Sequence, residues 1–462
     1  MVLEKSSGIF IPISEQDQFW VNSFKHQLTR SSKDFGSDVY VTTEYFERKD
    51  GYIKIPRLCK INNPEIEFED KCTNGEDINI KFTSQLRNDL QRQALKYFQT
   101  NDSGVLKLKP GEGKTVISIA AVCAIRKKAI ILVHKDSLVT QWQERFLQHS
   151  DIKSEDIGIL KTDKYKEILQ KPVVIGTVQT MCSMIKRIPD LLEVMRKANF
   201  GIGIWDECHT TGGAPLFSLS CYYVPARKCF GLSATPGRSD HNDDIIHMHL
   251  GEVFEPVGQS NTLAPRVVMT YFDHGALKNH RYYIMFGPPI DGKKPFPKFD
   301  PNRYKQMLDS KKNHSFVTTV KQIISFLYNK NRNILVICDR IKLLDKLAEG
   351  FPPHDVGFFI PRSGKTRDDQ LHRKIVFSTP GSSRDGTDNP NFDTLIMATP
   401  IGNLDQAIGR VCRCKEGKAQ PLVFDMVDTG CQEMVDWALK RKKYYTEKVS
   451  TDNWVFEEKF LK

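Results

Sequence analysis

"GVLKLKPGEGKTVISIAAVCAI" (Gly104–Ile125) divides into three pieces that obey different rules. "GVLKL" reads as a strand. "KPGEGKT" carries Pro110, Gly111 and Gly113 and reads as a loop, and "VISIAAVCAI" is apolar enough for a buried helix. Strand, glycine loop and helix in that order place backbone N–H groups and the positive end of a helix opposite an anion. Gly111 and Gly113 let the main chain approach phosphates without a Cβ in the way, with Glu112 between them in the same cradle. Lys114 then offers a point charge to the β- and γ-phosphates, and Thr115 a hydroxyl to Mg²⁺. The pattern G-x-x-x-x-G-K-[ST] asks for a small residue where this chain has Leu108, a change at the entry to the loop. A glycine turn followed by a chance Lys-Thr is the competing reading.

From about Phe98 onward, short apolar runs alternate with amphipathic stretches. "AIILV" (Ala129–Val133) precedes the helix-like "SLVTQWQERFLQ", and "PVVIGT" (Pro172–Thr177) precedes "MCSMIKRIPDLLEVMRKA". "FGIGIWD" (Phe200–Asp206) and "KCFGLSAT" (Lys228–Thr235) follow. Continuous β-rich runs separated by helices indicate βαβ units and a parallel sheet buried on both faces. A Pro-, Gly-, Lys- and aromatic-rich stretch, His274–Met307, interrupts the pattern. It resumes with "NILVIC", "KIVFST", "FDTLIMAT" and "PLVFDMVD". The expected class is α/β, with two tandem parallel-sheet domains and a small, mostly β N-terminal module. The expected boundaries are 1–80 for the module, 81–256 and 257–435 for the two domains (the second with a basic aromatic insertion at 274–307), and 436–462 for a C-terminal helical tail.

Composition sets limits. Of 462 residues 40% are hydrophobic, which suits a globular chain, and no apolar run is long enough to span a bilayer. "MVLEKSSGIF" lacks the form of a signal peptide, so a cytoplasmic protein is expected. No membrane partner is expected. Eleven cysteines form no C-x-x-C, so free thiols and no structural zinc are expected. Lys and Arg number 67 against 56 acids, a net +11 that suits a polyanion.

"GIGIWDECH" places Asp206 and Glu207 directly after an apolar strand. Asp206 there can hold Mg²⁺, and Glu207 can orient and deprotonate an attacking water. "GEGKT", "DECH", "LSATPGR" and "QAIGRVCR" follow one another in the order of the superfamily 2 helicases. The resemblance covers about Asn88 to Val427, most of the chain, and implies two tandem RecA-like domains and, if the chain is phage-encoded, the cytoplasm of a bacterial host. "DECH" makes it DExH-type, and "IILVHKDSLVTQW", "VVIGTVQTM" and "FGLSATPGRSD" resemble the XPB/RecG branch and the phage UvsW-type branch-migration helicases.

That resemblance implies roles residue by residue. Gln91 in "NDLQRQAL" corresponds to an adenine-reading glutamine, with a plain helix-surface Gln as the alternative. Lys114 and Thr115 match motif I; Asp206, Glu207 and His209 match motif II; Ser233 and Thr235 match the coupling motif III. Gly386 and Asp388 resemble motif V, and Gln406, Arg410 and Arg413 match motif VI. The spacing puts Arg410 and Arg413 one helical turn apart on one face, where they can serve as finger arginines toward the γ-phosphate. ATP and Mg²⁺ are the implied cofactors, with ATP expected between the two domains. Thr177 and Thr180 are expected to touch strand phosphates, and Lys293, Lys294, Phe296 and Lys298 to touch a junction or an unpaired base. The implied activity is an ATP-dependent DNA helicase or translocase acting on forked or branched DNA, single- and double-stranded, as a monomer. An RNA-directed or transcription-release ATPase is one alternative, and a nucleic-acid-binding module with a silent motor is another.

Overall fold

The computed structural model describes residues 1–13, 18–33, 40–49, 51–208, 215–234, 243–258, 262–273, 283–285, 297–308, 314–361, 363, 367–384 and 389–461. The chain divides into two compact units, Met1–Ser260 and Asn261–Lys462.

The first unit opens with seven short strands: β1 (Val2–Lys5), β2 (Gly8–Pro12), β3 (Thr29–Lys33), β4 (Tyr40–Glu44), β5 (Glu47–Lys49), β6 (Tyr52–Pro56) and β7 (Glu67–Asp70). Five of them form a sheet in the order β5-β6-β2-β1-β7, while β3 and β4 pair as a separate hairpin. The helix Gln18–Gln27 supplies Val21 and Phe24 to the core beneath, and Ile245 from the helix Asp243–Leu250 joins the same core. Lys54 of β6 fixes this join. It is 1% exposed, its ammonium donates to the Tyr222 carbonyl, and it lies over the rings of Phe10, Tyr223 and Tyr222 at 4.7, 4.9 and 5.4 Å. Burial pushes its pKa down to about 7, against the pull of Glu47 at 3.8 Å.

The main sheet of this unit is built from β8 (Ser103–Lys107), β9 (Ala129–Val133), β10 (Ile157–Ile159), β11 (Val173–Thr177), β12 (Ile202–Asp206), β13 (Lys228–Ser233) and β14 (Val253–Phe254). Their order is β10-β11-β9-β12-β13-β8-β14, and every pairing is parallel. β9, β11 and β12 are buried at every position, as their unbroken apolar runs require. Alternate residues serve opposite cores: Ala129, Ile131 and Val133 pack on one face, Ile130 and Leu132 on the other. Each of the Ile, Leu and Val side chains contributes about 1.5–3 kcal/mol when fully withdrawn from water. The stretch after β11 forms two helices, Val178–Arg187 and Leu191–Ala198. Pro189 is the cause, because it disfavours the helical region for Ile188, which is extended (φ −115°, ψ 102°).

In the second unit the strands are β15 (Arg266–Phe272), β16 (Tyr283–Met285), β17 (Pro297–Phe299), β18 (Ile334–Ile337), β19 (Val356–Phe359), β20 (Ile375–Ser378), β21 (Thr394–Met397), β22 (Leu422–Asp428) and β23 (Val455–Phe460). Seven make a sheet in the order β19-β20-β18-β21-β22-β15-β23, again wholly parallel. β16 and β17 form a separate antiparallel pair, and Phe299 at its end packs edge-on against Trp437 and near Tyr304. The helix Gln432–Asp452 lies on β22 and leads into β23, so the end of the chain is part of this sheet. Arg441 on that helix makes a bidentate pair with Asp425 of β22 at 2.7 and 3.0 Å, and Tyr445 donates to the same carboxylate at 2.9 Å, all three buried. Among the described residues no helix is long and apolar enough to cross a membrane.

Candidate nucleotide site

β12, β13 and β8 are adjacent and parallel, so Asp206, Ser233 and Lys107 leave the sheet at the same edge. Ligands of open parallel sheets bind at this carboxyl edge. The glycine loop leaves from β8. Leu108, the departure from the usual pattern, is buried in the hydrophobic core and donates its N–H to Ser233 O, so its side chain stays out of the loop. Beyond it the chain turns tightly. Glu112 donates its N–H to Lys109 O (3.2 Å), and its buried carboxylate accepts from Lys109 N (3.0 Å). Glu112 therefore staples the loop from within. Gly111 and Gly113 have φ of +88° and +89°, a region open to glycine and costly for other residues. A Cβ on Gly113 would meet Gln91 Nε2 at 2.7 Å.

Gln91 therefore lies beneath the loop. It is 3% exposed, its Nε2 donates to Glu112 O at 2.8 Å and its Oε1 accepts from Arg87 N at 2.8 Å. The sequence offered it as a reader of adenine or as a surface glutamine. Its burial removes the surface reading, and its two hydrogen bonds brace the helix Asp89–Thr100 against the loop backbone.

The helix Lys114–Ile125 starts at Gly113, which has no side chain to cap the first-turn N–H groups. Lys114 Nζ reaches Leu108 O at 3.2 Å and stands 4.0 Å from Glu207 Oε1. Thr115 follows, half-buried, on the first helical turn. Asp206 closes β12 and is 8% exposed. Its Oδ1 accepts from Glu207 N (2.9 Å), and its Oδ2 accepts from Trp142 Nε1 (2.8 Å). Burial, then the neighbouring Glu207, raises its pKa to about 6, while Trp142 and Lys114 pull it back down. Glu207 has φ +50°, a left-handed conformation that a non-glycine residue adopts at a cost of about 1–2 kcal/mol. Strain of this kind concentrates at functional turns.

An all-oxygen donor set, the Thr115 hydroxyl and the Asp206 carboxylate, is of the kind that suits Mg²⁺. The turn through Gly111 and Gly113 at positive φ, leading into a helix whose first N–H groups have no side-chain cap, suits a phosphate held by backbone N–H groups. The residues present fit a magnesium nucleotide.

The other expected residues are placed less uniformly. Ser233 ends β13, fully buried, while His209, Thr235, Gly386 and Asp388 lie outside the described residues. Gln406 sits half-buried in the helix Leu404–Gly409, which Asn403 caps through Gln406 N (3.1 Å). That helix stops at Gly409. Arg410 is its buried C-cap, and Arg413 lies beyond the helix in a bridge to Thr262. The expectation of one helical face for the two arginines is corrected, because Arg413 is on extended chain.

Thr177 also departs from expectation. It is buried, and its hydroxyl caps the helix Val178–Arg187 by accepting Thr180 N (3.0 Å), so it faces the helix and not a strand phosphate. Thr180 is half-buried with its hydroxyl 2.9 Å from that of Thr177. Lys293, Lys294 and Phe296 lie outside the described residues, and Lys298 sits in β17 opposite Ile284. Trp142 escaped the sequence reading. The available signal was an indole on the buried face of a helix, whose N–H must find an acceptor.

Residues 78–238 match the family model described as "Type III restriction enzyme, res subunit". The chain is 25% identical over 414 residues to a mimivirus protein named "Putative ATP-dependent RNA helicase L396", covering 85% of this chain and 74% of that one. It is 28% identical over 205 residues to the fission yeast XPB helicase/translocase subunit of factor IIH, covering 42% of this chain and 25% of that one. Among solved structures, a Type ISP restriction-modification enzyme, LlaBIII, bound to DNA matches 82% of this chain and 31% of its own, with TM-score 0.54 and 18% identity, a likeness of fold. Helicases of this kind hydrolyse ATP, typically with Mg²⁺, and bind nucleic acid. With its motifs in order on two parallel sheets, the chain has superfamily 2 helicases among its homologues, the XPB and viral proteins included.

Proposed function

We propose that the chain is an ATP-driven DNA translocase that remodels forked or branched DNA. The observation that carries this reading is the meeting of Lys114 and Glu207, 4.0 Å apart, above a buried Asp206 at the carboxyl edge of the sheet. A lysine and a glutamate so placed can part around a terminal phosphate, one neutralising it and the other facing the attacking water.

Lys114 and the loop N–H groups bind the phosphates. Thr115 and Asp206 would hold Mg²⁺, which when bound supplies positive charge to the transferring phosphoryl group. Glu207 orients the water and takes its proton. Arg410 and Arg413, with Gln406, are the cations and amide assigned to the charge developing on the γ-phosphate. Ser233, Thr235 and His209 are assigned to coupling, and Gly386 and Asp388 to the nucleotide.

DNA is favoured by the net charge of +11 and by the XPB relative, named as a factor of transcription and DNA repair. RNA is the second reading, favoured by the name of the mimivirus relative. Strand displacement decides between them. The proposal expects ATP-dependent unwinding of forks and movement of four-way junctions, with RNA duplexes inert. Unwinding of RNA duplexes with DNA forks untouched overturns it.

A further inference from the structure

We infer that Trp142 is a positioning residue for the magnesium-facing carboxylate of Asp206, an inference that rests on the nucleotide reading above. Trp142 lies on the helix Asp136–His149, 64 residues before Asp206 in sequence, and is 1% exposed. It is part of the core that includes Val139, Phe146, Ile204 and Leu232, with its ring 6.1 Å from that of Phe146, so the indole cannot rotate without disturbing the core. Its Nε1–H donates to Asp206 Oδ2 at 2.8 Å.

The opposite oxygen, Oδ1, accepts from Glu207 N at 2.9 Å. The two donors come from separate elements and grip one oxygen each, which fixes the plane of the carboxylate. Each oxygen keeps a lone pair for a cation or its water. A carboxylate this buried without such donors would either take up a proton or swing toward Lys114. The indole is suited to the task because it donates once and never accepts, so it cannot compete as a ligand. Outer partners of this kind orient metal ligands and tune affinity.

The test uses the full chain and two variants: Trp142→Phe, which removes the donor and some volume, and Trp142→benzothienylalanine, which removes the donor and keeps the bicyclic shape. Binding of a fluorescent ADP is followed by anisotropy, once against rising Mg²⁺ and once in EDTA. The inference expects the Mg²⁺ needed for half-maximal binding to rise about tenfold in both variants, with affinity in EDTA unchanged. An unchanged Mg²⁺ requirement in the benzothienylalanine variant overturns it. So does an equal loss in Mg²⁺ and in EDTA, which marks Trp142 as packing alone. If the unaltered chain shows no Mg²⁺-dependent ADP binding, the nucleotide reading falls first and this inference with it.

Discussion

Replacing Gln91 with methionine separates two roles for one buried amide. The substitution keeps the length of the side chain and deletes both hydrogen bonds, from Nε2 to Glu112 O and from Arg87 N to Oε1. Each such bond contributes about 1 kcal/mol net, and leaving the Glu112 carbonyl and Arg87 N–H without them adds a penalty unless water reaches both. A loss of about 2 kcal/mol in loop order converts to roughly 30-fold weaker binding for any ligand that needs the loop formed. A brace beneath the loop is blind to the base. Competition assays with ADP, GDP and pyrophosphate should therefore show all three weakened by a similar factor. Weakening confined to ADP refutes the bracing argument and restores Gln91 to adenine recognition.

Two further predictions concern stability. In Lys54 the folded pKa, about 7, lies below the unfolded value of 10.5, so between these pH values the unfolded chain holds a proton that the folded chain has released. Stability from this group therefore rises with pH across that window. The gap in thermal midpoint between Lys54→Met and the parent should shift in the parent's favour from pH 7 to 9.5, and a gap independent of pH contradicts the burial argument. In the second unit, Arg441→Met strands the buried Asp425 carboxylate and should cost about 3–5 kcal/mol, while Arg441→Met with Asp425→Leu recovers much of it. Calorimetry of single and double variants checks this, and equal losses in both would show that the pair is not what holds the helix Gln432–Asp452 to β22.

The two sheets were legible because their strands are buried on both faces. "AIILV" is β9 residue for residue, and "PVVIGT" and "FDTLIMAT" contain β11 and β21. The glycine loop was legible for a local reason, since Gly111 and Gly113 occupy backbone angles that other residues avoid. What escaped was contact across sequence. Trp142 and Asp206, or Lys54 and Tyr222, meet only after the chain has folded, and no local pattern records such meetings. Arg413 failed differently. The spacing suits a helix, but the chain leaves the helix at Gly409 to bridge Thr262, a tertiary choice that overrides the period. Thr177 was legible as a polar residue at a strand end, and the helix that follows claimed its hydroxyl as a cap.

The most direct test of the account is ATP turnover by the unaltered chain and by Lys114→Ala, each with and without forked DNA. Hydrolysis stimulated by DNA in the first, and lost in the second while thermal stability is kept, is the predicted result. DNA-stimulated hydrolysis that survives in Lys114→Ala would contradict the assignment of the glycine loop, Asp206 and Glu207 as the site where ATP is cleaved.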